Sequence, residues 1–269
     1  MTAFEYPSIA PSRLDSTLWS EALYERFASD MLRRQKRWQL TDADKAALAW
    51  PAVGRLYKYR TIDYAHPERT AELLQKGTLW ASSLVKLNDP LEAAFVSARQ
   101  AAGQSEIDAI NMMMRSNWYG CICLTIDPVC VQMWAHYSQN HEGFVIEYDR
   151  YESSLLCSAS AQPVRYRRAM PAVIGDPEDD AAQQELDRIF WTKWEAWEYE
   201  REWRVRYPKA NALAAPGLLK PSGLIFGLRT SDKDKKKLRE YAGKIRIGQI
   251  EPSSEPYRLQ IRWENPRHA

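Results

Sequence analysis

Glu200-Arg201-Glu202 is the segment whose residue types and spacing point most directly to chemistry. On a β-strand alternate residues face one side of the sheet, so these two carboxylates would stand together. Like charges held that close must reach water, be matched by neighbours such as Arg204 and Arg206, or belong to a site in which a proton is retained. Two earlier segments supply further reactive types. Leu56-Tyr57-Lys58-Tyr59-Arg60 sets two cations among aromatic rings, and Thr78-Leu79-Trp80-Ala81-Ser82-Ser83 sets two hydroxyls after a tryptophan. Tyr57, Tyr59 and Trp80 are able to stack on a flat ring or to serve as ordinary core.

Other constellations compete. Asp89, Glu92, Glu200 and Glu202 would suit a metal-dependent nuclease if they converged, although no lysine is placed beside them. Cys121 and Cys123 point the same way on a strand, but with His136 and His141 they lack a zinc-finger spacing, so no metal-ligand set is assigned. Lys233, Lys235, Lys236, Lys237, Arg239, Lys244 and Arg246 outnumber Asp232, Asp234 and Glu240. That excess grips phosphates or forms a solvated helix face, and Ser231 with Asp234 reads as its cap. A Walker loop, a dinucleotide glycine fingerprint and a nucleophile elbow are all missing, which argues against ATP hydrolysis, hydride transfer and serine hydrolase chemistry.

Periodicity supplies the elements that must position these groups. Apolar residues recur every three or four positions from Leu14 to Trp38, a helix with a basic end, and Thr41 with Asp44 caps a shorter one that stops before Pro51. Strands are expected at Leu56 to Arg60, Thr78 to Ser83, Cys121 to Thr125, Phe144 to Tyr148, Glu202 to Tyr207, Leu224 to Leu228, Lys244 to Ile250 and Arg258 to Trp263. Helices are expected from Pro67 to Gln75 before Gly77, from the cap-like Asn88-Asp89-Pro90, after Asp127-Pro128, and from about Ala181 to Tyr199 with Trp191, Trp194 and Trp197 on one face. The class is α+β: a helical extension over residues 1–50, then one α+β domain over residues 51–269.

Composition bounds the rest. The chain has 269 residues, of which 45% are apolar and 27% charged, so it can bury a sizeable core. A net charge of +2 demands neither nucleic acid nor membrane as a partner. Four cysteines without a framework pattern argue against disulfides, and the sequence contains neither a membrane-length apolar run nor a basic-then-apolar leader. Cytoplasm is the expected address, although a start rich in Ser, Thr and Pro also suits delivery into another cell. The eleven tryptophans leave room for a third class, a non-catalytic interaction protein with an aromatic interface.

Several motifs keep an order that resembles the bacterial domain-of-unknown-function family twenty-nine seventy-one, relatives of some abortive-infection proteins. They are Tyr57-Lys58-Tyr59-Arg60, Asn88-Asp89-Pro90-Leu91-Glu92, Met133-Trp134-Ala135-His136-Tyr137 with Gly143, and Trp197 followed by Glu200-Arg201-Glu202-Trp203-Arg204. A more distant resemblance is to ADP-ribosyltransferases, which place a basic residue, a serine and a Glu-x-Glu on successive strands; the separation of Ser83 from Glu200 is longer here than in compact toxins of that group. This second resemblance implies a split, twisted sheet and transfer of ADP-ribose from NAD to a protein or nucleic-acid acceptor, in phage defence or as an effector. It also implies roles. Glu202 would face the ribosyl cation, and Glu200 would orient the acceptor or act as base. Lys58 or Arg60 would hold the cofactor's phosphates or ribose, with Tyr59 and Trp80 stacking and Ser82 or Ser83 on the nicotinamide side.

Overall fold

The alternation in Leu56-Tyr57-Lys58-Tyr59-Arg60 forms strand β1 (Arg55–Arg60) at the centre of an eight-stranded sheet. The computed structural model describes residues 53–92, 94, 96–97, 119–157, 161–173 and 188–264. The proposed helices between Leu14 and Ala49 lie outside them. After β1 come α1 (Pro67–Lys76), β2 (Trp80–Ala81), β3 (Val96–Ser97), β4 (Gly120–Thr125), α2 (Val131–Tyr137) and β5 (Phe144–Asp149). Four short strands follow: β6 (Ala161–Pro163), β7 (Arg165–Arg167), β8 (Ala172–Val173) and β9 (Thr192–Trp194). The chain then forms β10 (Glu202–Tyr207), β11 (Ala212–Leu213), β12 (Pro221–Phe226), α3 (Asp232–Ala242), β13 (Arg246–Pro252) and β14 (Leu259–Trp263).

The twisted sheet runs β14-β13-β12-β5-β1-β4-β10-β6. Only β12 and β13 pair in parallel, with α3 as the intervening crossover; the other neighbours are antiparallel. Leu56, Ile146, Tyr148 and Leu224 pack on one side with Leu73 and Leu74 of α1 and Leu238 and Ala242 of α3. Tyr59, Val145 and Ile225 pack on the other with Trp134 of α2. Burial of both faces explains the near-continuous apolar run Phe144-Val145-Ile146. Trp134 satisfies its indole N–H on the Pro128 carbonyl at 2.9 Å and meets Tyr59 edge-on at 5.1 Å.

Pairing around β1 is uneven. Six residue pairs join it to β5, whereas Tyr57 opposite Thr125 is the single register pair with β4. Diverging strands cannot close the space between them with ladder hydrogen bonds, and the candidate site occupies that opening.

Most strands and α1 lie where periodicity predicts them. Gly77 ends α1 at φ 68°, and a Cβ there would fall 1.9 Å from the Leu219 carbonyl oxygen, so glycine is required twice over. Three expectations are corrected. The strand expected over Thr78 to Ser83 shrinks to Trp80–Ala81, with Ser82 bridged to Cys121. No helix starts at Asn88-Asp89-Pro90. The Asp89 carboxylate accepts from the Leu91 amide at 2.8 Å and its carbonyl accepts from the Glu92 amide at 3.0 Å, giving a turn. The Glu92 side chain that would complete a capping box instead meets Arg204. The helix expected to run on to Tyr199 is helical at residues 188–190, the first described there, and then gives way to β9 and a 3-10 helix at Glu195–Glu200. Consequently Trp191, Trp194 and Trp197 do not share a helix face: Trp191 is buried and Trp194 exposed.

Candidate functional site

Two carboxylates buried on one short segment need cations, and the fold supplies them from separate stretches. Glu200 ends the 3-10 helix and Glu202 begins β10. Between them Arg201 adopts the left-handed conformation, φ 45°, so their convergence comes from a reversal and not from strand alternation. The Thr125 hydroxyl fixes the reversal by donating to the Glu200 carbonyl at 2.6 Å. Lys193, on β9, donates to Glu200 Oε2 at 2.5 Å and to Glu202 Oε2 at 2.8 Å, and its ammonium lies 3.9 Å from Glu92 Oε2. Arg204 pairs with Glu202 Oε1 through Nε at 2.9 Å and with Glu92 Oε1 at 2.7 Å, and it donates to the Phe190 carbonyl at 2.6 Å. The Tyr137 hydroxyl donates to Glu200 Oε1 at 2.5 Å, and the Tyr166 hydroxyl accepts from the Glu202 amide at 2.8 Å.

The electrostatics follow from this wiring. Burial works to raise the Glu202 pKa, but the charges of Arg204 and Lys193 outweigh it and hold the carboxyl well below the usual range. Burial pushes Glu92 up; Arg204 offsets this only in part, and neighbouring Glu202 adds to the rise. Burial would lower Lys193, but Glu202 and Glu200 carry it above its ordinary value. Lys58 moves the other way, pushed down by burial, and donates to the Cys123 carbonyl at 2.7 Å.

A cavity of about 220 Å³ opens beside the cluster. Of the residues singled out in the sequence, Tyr57, Lys58, Tyr59, Ser82, Cys123, Glu200 and Glu202 line it, and so do Asp89 and Glu92. Arg60, Trp80 and Ser83 do not. Arg60 is half-buried near Tyr148 and Asp63, Trp80 is exposed on β2, and Ser83 is buried with its amide toward the Asn211 side chain. Lys193, Tyr137 and Trp197 also line the cavity and were not anticipated. Lys193 stands 5.1 Å from the Trp197 ring centre. The signal for it was indirect: a buried acid pair requires a cation, and the Thr-Lys-Trp alternation of β9 was hidden inside an assumed helix.

Cys121 and Cys123 do face one way, with 3.7 Å between sulfurs. With one Glu202 oxygen their sulfurs form the only group of three potential metal ligands within 4.8 Å of one another among the described residues. The histidines weighed beside them are used elsewhere, His136 against the Tyr199 hydroxyl at 3.2 Å and His141 stacked on Trp134. On α3, Ser231 caps through the Asp234 amide as expected. Three of the seven basic residues in and after α3 have acidic partners: Arg239 pairs with Glu264, Arg246 of β13 with Glu147, and Lys235 lies 3.9 Å from Asp232. Among the described residues no helix is long and apolar enough to cross a membrane.

Residues 133–205 match the model of a family described as a protein of unknown function (DUF2971). The matched stretch spans α2 to β10 and carries Tyr137, Lys193, Glu200, Glu202 and Arg204. It supports the resemblance to that family and is silent on abortive infection and ADP-ribosyl transfer. No curated protein and no solved structure matches the chain.

Proposed function

We propose that the cavity takes the nicotinamide–ribose end of NAD and that the protein transfers ADP-ribose to a protein or nucleic-acid acceptor, in a defence or effector setting. One observation carries this reading: Lys58, Ser82, Glu200 and Glu202, far apart in sequence, line a single cavity. Its volume is below the roughly 300–1,000 Å³ of drug-sized sites, which suits one end of a dinucleotide better than the whole. As the glycosidic C–N bond breaks, its electron pair leaves with nicotinamide, and positive charge grows on the ribose. A carboxylate held ionised in a dry setting stabilises that charge without reorganising. Glu202 fits this role because Lys193 and Arg204 fix its position. Glu200, engaged by Tyr137 and Lys193, keeps accepting capacity for a proton from the attacking acceptor atom, which forms the new bond to ribose.

A metal-dependent nuclease is favoured by the same convergence of Asp89, Glu92, Glu200 and Glu202, now with Lys193 beside them. It ranks second because the point on which Glu92, Glu200 and Glu202 converge is filled by the Lys193 ammonium, with Arg204 on Glu92 and Glu202 besides. The test is incubation with labelled NAD and a cell lysate, with and without nuclease treatment, for wild type, Glu202→Gln and Glu200→Gln. Label transfer and nicotinamide release falling at least ~100-fold in Glu202→Gln is the expected result. No transfer and no nicotinamide release by wild type, with metal-dependent cleavage of added DNA or RNA, would overturn it in favour of the nuclease.

A further inference from the structure

We propose that Cys121, Cys123 and Glu202 form a site for one thiophilic divalent cation of the zinc class, at the wall of the cavity. The first argument is distance. Two thiolates bound to zinc at ~2.3 Å with a tetrahedral angle stand ~3.75 Å apart. The two sulfurs here are 3.7 Å apart, so the pair is spaced for the ion without backbone movement. The spacing has a local cause: residues two apart on β4 project to one side, and β10 brings Glu202 opposite Thr125 on the adjoining strand. The carboxylate oxygen lies within 4.8 Å of both sulfurs, so a small side-chain shift completes a three-ligand set.

The second argument is charge. A divalent ion that displaces one proton from each thiol leaves the charge of the cluster unchanged, because two positive charges replace two protons. This matters in a buried cluster, where an uncompensated charge costs several kcal/mol or more. Access is provided as well. Cys123 lines the cavity, and the three protein ligands leave a fourth position for water or a ligand arriving there, the arrangement of open zinc sites and not of closed structural ones. The Lys58 ammonium is held on the Cys123 carbonyl at 2.7 Å.

The site shares Glu202 with the transfer reading but does not depend on it, and its test reads metal binding, not turnover. Reduced, chelator-treated full-length protein is titrated with Co²⁺ and then Zn²⁺. The expected result is one equivalent of Co²⁺ giving sulfur-to-cobalt charge-transfer absorption and intense tetrahedral d–d bands, both removed by Zn²⁺. The Cys121→Ser/Cys123→Ser protein should bind at least ~100-fold more weakly, and Glu202→Gln at least ~10-fold more weakly. A second measurement uses only wild type: Zn²⁺ should protect Cys121 and Cys123, but not Cys130 or Cys157, from alkylation followed by peptide mass analysis. Absence of the charge-transfer band, equal binding by the double variant, or equal protection of all four cysteines would overturn the proposal.

Discussion

Two clusters of buried carboxylate are wired into this sheet, and they differ in a telling way. Glu147 on β5 is fully buried and alone. Arg246 and Arg55 reach it from half-exposed positions, and Tyr57 at 3.3 Å and Ser222 at 2.8 Å complete its hydrogen bonds. One acid has two cations that keep contact with water. At the cavity the proportions are reversed: Glu92, Glu200 and Glu202 share Lys193 and Arg204, and both cations are themselves buried. Three desolvated acids line a cavity that a ligand can enter, whereas Glu147 is enclosed by its own partners. The cavity that Glu92, Glu200 and Glu202 line marks their cluster as the functional candidate.

Replacing Arg204 with Met should give the largest effect in this contrast. It strips Glu92 and Glu202 of one of their two shared cations, and breaking a buried pair from one side costs about 3–5 kcal/mol; a urea midpoint that barely moves would mean that water already reaches the cluster. Next in size is acid lability. Glu202 has its pKa lowered in the native state, so its stabilisation is complete above the ordinary value of 4.5 and is lost as pH falls below it. Glu92 has the opposite sign. Its native pKa is raised, so stability rises as pH drops through that value toward 4.5. Denaturant midpoints should therefore climb modestly on mild acidification and then collapse. Glu92→Gln should remove the climb and Glu202→Gln the steep acid limb.

Glu147→Gln should be gentler, about 1–2 kcal/mol, because Arg55 and Arg246 can turn to solvent and the amide still accepts hydrogen bonds. A loss as large as that of Arg204→Met would show the two clusters to be equally sealed. Smallest of all, Ser222→Ala removes one hydrogen bond from a carboxylate with other partners and should cost about 1 kcal/mol by thermal or chemical unfolding.

The same contrast shows where sequence reasoning succeeds. The strands of the central sheet were legible because both of their faces are apolar or alternate, and that pattern is local. Gly77 and Ser231 were legible because caps involve neighbours only a few residues away. Asp89-Pro90-Leu91-Glu92 misled because a local motif lost to a distant partner: Glu92 gains more from Arg204 than a capping box would give. The three-residue spacing of Trp191, Trp194 and Trp197 was taken for a helix face. Instead Trp191 lies in the turn before β9, Trp194 ends β9 and Trp197 sits in the 3-10 helix. Lys193 was invisible for the same reason.

By itself, the sequence determined the α+β class, the principal strands and the presence of a paired-glutamate motif with basic and serine segments in order. Those features depend on side-chain period and on residue type, which any short window displays. Tertiary structure alone decided that β1 and β4 part after a single register pair, that Arg201 turns left-handed, and that Lys193 and Arg204 meet three acids beside a cavity. It also set two thiols 3.7 Å apart within reach of Glu202. These are long-range outcomes, governed by which distant charge satisfies a buried one, and no local pattern encodes that choice.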